Sequence, residues 1–498
     1  MKLWHDLLQA QVEAQPAASA FSDSLGNAWS YQELAEATEA LEAELTAAGV
    51  AAGDRVVVLA ENCCAVVAGL MATSQAGAVA VPVNARMSAS EVDRILEHAR
   101  PAAVLFSTGV AGGAQHHADR LSACVISGSF GQMHLATPFA SSGDAPDEVA
   151  VLLYTTGTTG APKGVMLSHD NLLFGGKASA ELRDMAPGDV IYGVLPMTHV
   201  FGLASVMTAA LYAGAEVWLE ARFSAEKLYQ ALRRGVTRLA AVPQMHALVM
   251  QFAKEQGLER LDSPHLKYVS SGAAPLDPDW KRRAEAFYGV ALQNGYGMTE
   301  ATAGICATKN STLGDPDISA GPALAGVEVR IDETVTGGGD GIGEVLVRGG
   351  NVMLGYYRNP EETARTLDAQ GWLRSGDLGR MDEHGHLHIE GRSKELIIHG
   401  GFNVFPPEVE AALNAHPQVV QSAVVGRRNK GDEEVLAFVQ VTPDDSPDVA
   451  DLMGFVRGQL AGYKCPARIV LTETLPAAPT GKILKHKLLT HFAAELGA

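Results

Sequence analysis

Val151-Leu152-Leu153-Tyr154 runs apolar and gives way to Thr155-Thr156-Gly157-Thr158-Thr159-Gly160-Ala161-Pro162-Lys163-Gly164. Four hydroxyls, three glycines and a lysine fall within these ten residues. Glycines let backbone N–H groups come close to phosphate oxygens; threonine hydroxyls add donors and the lysine adds charge. Apolar residues return at Val165–His169, so the loop joins two strand-like runs and does not open a helix. It is not a Walker A loop. Counting from Gly157, Pro162 stands where that motif needs glycine, and Gly164 where it needs serine or threonine.

Outward from the loop, residues 1–390 alternate short apolar runs with amphipathic stretches. Arg55–Ala60, Ala103–Ser107, Val190–Leu195, Glu216–Leu219, Arg238–Val242 and Lys267–Ser270 read as buried strands, and Tyr31–Ala48 and Ser224–Gly235 as helices. Such alternation predicts parallel sheets covered by helices. The glycine-rich Asp332–Gly343 holds no GxGxxG and reads as a hairpin turn before the strand Glu344–Arg348. His384–Glu390 alternates like a further strand. After Gly391-Arg392-Ser393-Lys394 the texture becomes that of a compact α+β unit. Its helices are expected at Pro407–His416 and Val449–Leu460, its strands at Val419–Gly426 and Val435–Val441.

With 498 residues, 47 % hydrophobic and 19 % charged, the chain can fill more than one core. A formal charge of −19 argues against general affinity for nucleic acid or anionic membranes. It also means that an anionic ligand needs local cations, backbone donors or a metal ion. The five cysteines, Cys63, Cys64, Cys124, Cys306 and Cys465, form no CxxC pair and read as reduced, mostly buried thiols. The start, Met1-Lys2-Leu3-Trp4-His5-Asp6, lacks an apolar signal core, so a cytoplasmic location is expected. Cys63–Val83 is apolar but broken by Thr73, Ser74 and Gln75. It reads as a buried helix and strand, not a membrane span.

The string Tyr154–Gly164 closely resembles the signature loop of the adenylate-forming superfamily: acyl-CoA synthetases, peptide-synthetase adenylation domains and luciferases. Further segments resemble the family's motifs in order. They are Pro82–Arg86, Pro196–Gly202, Ser271–Pro275, Asn294–Glu300, Trp372–Asp377, Gly391–Glu395 and Pro479–Ile483. The resemblance implies a large α/β N-terminal domain, 1–391, of helix-covered, mostly parallel sheets with a smaller β-barrel-like part. A small mobile α+β domain, 392–498, would carry the catalytic lysine.

It also implies roles. Thr155, Thr156, Gly157, Thr158, Thr159 and Lys163 would hold phosphates. Gly272, Ala273, Ala274, Asn294, Gly295, Tyr296 and Gly297 would hold adenine, Tyr296 by its face and Asn294 at the base edge. Asp377 would accept from both ribose hydroxyls, with Arg392 beside it. Glu300 would ligate Mg²⁺, since one carboxylate with water and phosphate oxygens suits that ion. Lys482, Thr299 and His199 would be catalytic. Lys482 would offset the repulsion between an attacking carboxylate and ATP. Lys394 matches a hinge position. Gly400 and Gly401 would let a pantetheine arm pass, with His399 where serine is usual.

The implied reaction forms acyl-AMP and pyrophosphate from ATP and a carboxylic acid, then transfers the acyl group to a thiol. The first expectation is an acyl-CoA ligase using ATP, Mg²⁺ and coenzyme A, with a homodimer as a possible assembly. The other readings are an enzyme loading a carrier protein, a luciferase-type oxidoreductase and a non-enzymatic nucleotide sensor. The absence of a carrier domain from these residues favours coenzyme A. The set Thr299, Glu300, Asp377 and Lys482 argues against a sensor. His199, His246, Gly272, Gly295, Gly297 and Ala303 are expected around the acid. The pocket segments hold no arginine or lysine for a second carboxylate, and no aspartate for an α-amino group. A fatty acid is therefore the first expectation and an aromatic acid such as benzoate or coumarate the second.

Overall fold

A computed structural model describes residues 1–498 except 111, 157–161, 273–275, 401, 430, 431, 444, 478–482 and 498, and not the side chain of Thr156. Two eight-stranded sheets dominate it. The first orders Cys306–Ala307, Leu292–Tyr296, Tyr268–Gly272, Arg238–Ala241, Val190–Gly193, Glu216–Leu219, Ser19–Asp23 and Ala28–Ser30. Its six inner strands run parallel and its two end strands antiparallel. The second orders Gly355–Tyr356, Pro162–Ser168, Val149–Thr156, Val79–Asn84, Arg55–Ala60, Ala103–Phe106, Gly131–Ala136 and Cys124–Gly128. Its four central strands run parallel.

The strand Arg55–Ala60 is buried at every position, as a parallel strand covered on both faces must be. The helix Tyr31–Ala47 starts at Ser30, whose hydroxyl accepts from the Glu33 N–H while Glu33 returns the bond. Such a cap is worth about 1 kcal/mol. Cys64–Gln75 is a buried helix, followed by the strand Val79–Asn84. No helix among the described residues is long and apolar enough to cross a membrane. Cys63, Cys64 and Cys306 are buried free thiols, while Cys124 is exposed.

The part expected to be barrel-like is an open antiparallel sheet of four strands, Val327–Asp332, Gly343–Gly349, Leu373–Met381 and Leu387–Arg392. No pairing among the described residues joins its outer strands; four strands are too few to curl round and close. Asp332–Gly343 is its hairpin connection, Asp332 pairing with Glu344. The strand expected from His384 begins at Leu387. Asp382 Oδ1 accepts from the His384 and His386 N–H groups, and Gly385 has φ +75°, so the first residues form the turn.

Arg392 ends that sheet, and a single 3₁₀ turn, Ser393–Glu395, follows. Beyond it lie the two-stranded Ile397–His399 and Phe402–Val404, then Gln421–Asn429, Asp432–Gln440 and Arg468–Thr472 as a three-stranded sheet. These pack on the helices Pro406–Asn414 and Val449–Arg457 around Val409, Leu413, Val424, Ala437 and Leu452, a core of their own.

The N-terminal residues are tied in. Trp4 is fully buried, and its Nε1–H donates to Thr208 Oγ1 at 3.0 Å. Thr208 ends a π-helical segment, Leu203–Thr208, that follows the loop Pro196–Gly202.

Candidate active site

Val149–Thr156 and Pro162–Ser168 form a hairpin, with Tyr154 opposite Gly164, Thr155 opposite Lys163 and Thr156 opposite Pro162. The phosphate-type loop is therefore a strand-to-strand connection. Gly157, Thr158 and Thr159 lie outside the described residues. Lys163 emerges at its base. It pairs with Glu362, whose carboxyl it holds below the usual range, with Lys394 adding to the effect. Lys163 Nζ also sits 5.3 Å from the centroid of the Tyr356 ring.

Tyr356 links this corner to the next. Its hydroxyl donates to Glu300 Oε1 at 2.9 Å, and burial together with Glu300 pushes its pKa far above the ordinary phenol range. Thr299 and Glu300 sit on a 3₁₀ turn just past the strand Leu292–Tyr296, with Thr299 buried and Glu300 half-buried. Thr302 and Ala303 close that turn at φ +47° and +74°. For a β-branched residue the first is a strained conformation. It returns the chain so that the Ile305 N–H reaches Tyr296 O at 2.9 Å. Gly297 lies beneath this returning turn; a side chain there would run into the Ala303 carbonyl.

Tyr296 and Asp377 meet across two sheets. The Tyr296 hydroxyl donates to Asp377 Oδ2 at 2.6 Å, and Arg392 Nε lies 3.1 Å from Asp377 Oδ1. Asp377 and Arg392 are register partners on adjacent strands. Burial and the Asp377 charge push the Tyr296 phenol far above its usual range. Asp377 in turn raises Arg392, with Glu395 and Glu300 contributing. Both oxygens of the buried Asp377 thus meet donors, with Arg392 reaching in from a half-exposed position. Asn294 is buried, its Nδ2 donating to Ser319 O at 2.8 Å and its Oδ1 accepting from the Gly295 N–H. It braces the strand end.

Gly272 and Gly295 are register partners on parallel strands. A Cβ at Gly272 would come within 3.3 Å of the Phe201 ring. The result is a floor of bare backbone beside a phenyl wall. Ala273 and Ala274 lie outside the described residues. His199 caps the short helix Val200–Gly202, its Nδ1 accepting from the Phe201 N–H at 3.3 Å. In the neutral ring this puts the proton on Nε2.

His246 is not at this floor. It is fully buried, with Nδ1 2.9 Å from the Tyr288 hydroxyl and Nε2 donating to Ser270 O at 3.2 Å. Burial drives its pKa down to about 4, so it is a neutral core residue. His399 donates from Nδ1 to Glu433 O at 2.5 Å, and the Gly400 N–H bonds Asp432 Oδ1 at 3.0 Å. The histidine that replaces the usual serine thus fastens one hairpin turn to another. Gly401 and Lys482 lie outside the described residues.

The structure brings together Lys163, Tyr356, Glu300 and Thr299, and separately Tyr296, Asp377 and Arg392; electrostatic coupling of Arg392 to Glu300 joins the two groups. Tyr356 and Glu362 were missed by sequence reasoning. Their only signal was an aromatic pair after Gly355 and an acidic helix start at Pro360. No group of three or more His, Cys, Asp or Glu side chains that could hold a metal occurs among the described residues. Glu300 is one hard oxygen donor, which fits Mg²⁺ completing its shell with phosphate oxygens and water.

The family description AMP-binding enzyme matches residues 8–357, and AMP-binding enzyme C-terminal domain matches residues 408–482. The chain is 34 % identical to a feruloyl-CoA synthase of Amycolatopsis sp over 479 residues, covering 94 % of each. It is 32 % identical to 4-coumarate-CoA ligase 5 of Oryza sativa subsp. japonica, covering 99 % of this chain and 95 % of that one. Among solved structures, ATP-bound MatB from Rhodopseudomonas palustris superposes with a TM-score of 0.84 at 32 % identity, covering 98 % of this chain and 99 % of that one. The chain belongs to the AMP-binding enzymes and is an adenylate-forming acid–thiol ligase, a class that works with ATP, Mg²⁺ and coenzyme A.

Proposed function

We propose that the protein activates an aromatic carboxylic acid, of the hydroxycinnamate or benzoate kind, as its adenylate and transfers the acyl group to coenzyme A. The observation that carries this reading is the side-chain-free backbone of Gly272 and Gly295 packed beside the Phe201 ring, an apolar and aromatic surface that suits a planar acid. The relatives' names support it, since they specify ferulate and coumarate. The fatty acid expected first has no such support, and the aromatic alternative replaces it.

In this reading the acid's carboxylate attacks the α-phosphorus of ATP, the bond to the β-phosphate breaks, and pyrophosphate leaves. Asp377, set by Tyr296 and Arg392, holds the ribose. Lys163 and Thr299 steady the phosphates, and Glu300 would hold Mg²⁺. The metal ion, when bound, spreads the phosphate charge. Lys482 supplies the ammonium at the reacting phosphate. His199 borders the acid. Residues 1–391 and 392–498 act as two bodies, the smaller turning about Lys394 so that Gly400 and Gly401 face the site for thiol attack. The thiol sulfur then bonds to the acyl carbon as AMP departs.

The test is pyrophosphate release over a panel of ferulate, 4-coumarate, benzoate, octanoate and palmitate, each with and without coenzyme A. Aryl acids are expected to exceed alkyl acids in kcat/KM by at least about tenfold, the scale of discrimination by pocket shape. Preference for octanoate or palmitate would overturn the substrate class. Thioester formation only on an added carrier protein would overturn the acceptor.

A further inference from the structure

The loop Pro196–Gly202, which carries His199 and Phe201, is gripped from the other large sheet. Asn62 follows the strand Arg55–Ala60 and is buried. Its Nδ2 donates to Gly193 O and Leu195 O, each at 2.9 Å, and its Oδ1 accepts from the Met197 N–H at 2.9 Å. One side chain thus fastens the strand end Val190–Gly193 and the first turn of the loop. Gly202 closes the far end; a Cβ there would strike the Pro196 and Leu195 carbonyls. The loop is thus bonded at its start by Asn62 and packed closely on itself at Gly202.

Glu61, the neighbouring residue, adds a second tie. Its Oε1 lies 2.5 Å from Arg86 Nε and 3.5 Å from Arg222 Nη2, and Arg86 Nη2 donates to Ala221 O at 2.7 Å. Its Oε2 is buried with no partner among the described residues. Glu61, Asn62, Arg86, Pro196 and Thr198 line a cavity of about 10 Å³, room for about one water molecule.

We infer that Asn62 is a positioning residue for the acid substrate: by fixing the backbone of residues 193–197 it sets where His199 and Phe201 stand against the slot. A buried amide whose donors and acceptor are all used by residues 193–197 favours one arrangement of that segment over others. The nucleotide corner, Tyr296, Asp377 and Arg392, receives none of these bonds. The effect of Asn62 is therefore confined to the acid. This inference rests on the proposed assignment of the loop to acid binding.

The experiment compares Asn62→Ala, His199→Ala and the double variant in the full-length enzyme, with KM for ferulate and for ATP measured separately. Asn62→Ala is expected to raise the ferulate KM on the order of tenfold and to move the ATP KM less than about twofold. The double variant is expected to fall short of the product of the single effects, because Asn62 acts through the His199 loop. A control pair, Asn62→Ala with Asp377→Asn, is expected to multiply. Multiplicative effects with His199→Ala, or equal changes in both KM values, would overturn the inference. An unchanged ferulate KM in His199→Ala would instead overturn the loop assignment itself. Where Asn62→Ala does not fold, Asn62→Asp keeps the acceptor for the Met197 N–H and loses the donors. Faster hydrogen exchange in residues 194–202 than in residues 292–300 is then expected, and equal exchange in both would refute the inference.

Discussion

The two eight-stranded sheets share a plan and end differently. Both have parallel centres and antiparallel edges. The first sheet ends its strands in Gly272 and Gly295, which carry no side chain, and in Tyr296, which is bonded to Asp377. The second ends Arg55–Ala60 in Glu61 and Asn62, which are buried and engaged. Ligands of open α/β sheets sit beyond the carboxyl ends of strands. In the proposed reading one set of ends forms the site and the other holds the loop beside it.

The largest effect is expected from outside both sheets. Lys482→Ala should lower acyl-AMP formation by about 10²–10³-fold, the usual cost of losing a group aimed at transition-state charge. Thioester formation from supplied acyl-AMP should change only a few-fold. Equal loss in both half-reactions, measured by pyrophosphate release and by thioester yield, would place the chemistry back on the sheet ends.

Next is the nucleotide corner. Asp377→Asn should raise the ATP KM by about 10- to 100-fold, the range for hydrogen bonds to a charged group, with the ferulate KM little changed. A matching rise in both would erase the separation of the two corners. Smaller again, Gly272→Ala places its methyl group against Phe201. It should cut kcat/KM for ferulate about tenfold and leave that for a short alkyl acid nearly intact. Uniform loss across acids would show that the bare floor is not the acid's seat.

These outcomes bear on what could be read from residues alone. The hairpin around Thr155 and Lys163, the parallel strands and the small C-terminal unit were legible because each depends on local pattern. Apolar runs, turn residues and spacing are written next to one another. Asn62 was not legible. It sits in Glu61-Asn62-Cys63-Cys64, a short polar step before an apolar helix, and its partners at 193, 195 and 197 are more than a hundred residues away. Tyr356 and Glu362 escaped for the same reason. His246 was placed near the acid by its position in sequence order, but the helix Pro243–Glu255 turns its ring inward against Tyr288.

That inward histidine gives the smallest effect on catalysis and a visible one on stability. Its pKa falls from 6.5 to about 4 on folding. Between those values the unfolded chain binds a proton that the folded chain does not. Stability is thus full above pH 6.5 and is lost as pH falls toward 4, by up to about 3 kcal/mol from this residue. His5, His98, His117 and His169 are also lowered by burial and act in the same direction. His246→Gln should flatten the slope of urea-unfolding free energy between pH 6.5 and 5 while reducing stability at pH 8. An unchanged slope would mean that His246 is protonated in the fold.

Trp4 has a practical bearing. Its indole is sealed from water and bonded to Thr208, at the end of the π-helical segment that continues from the His199 loop. If that loop borders the acid, as proposed, Trp4 is a built-in optical reporter joined to it. Titrating ferulate against wild type and Trp4→Phe, and subtracting the two emission spectra, isolates that reporter from the other indoles.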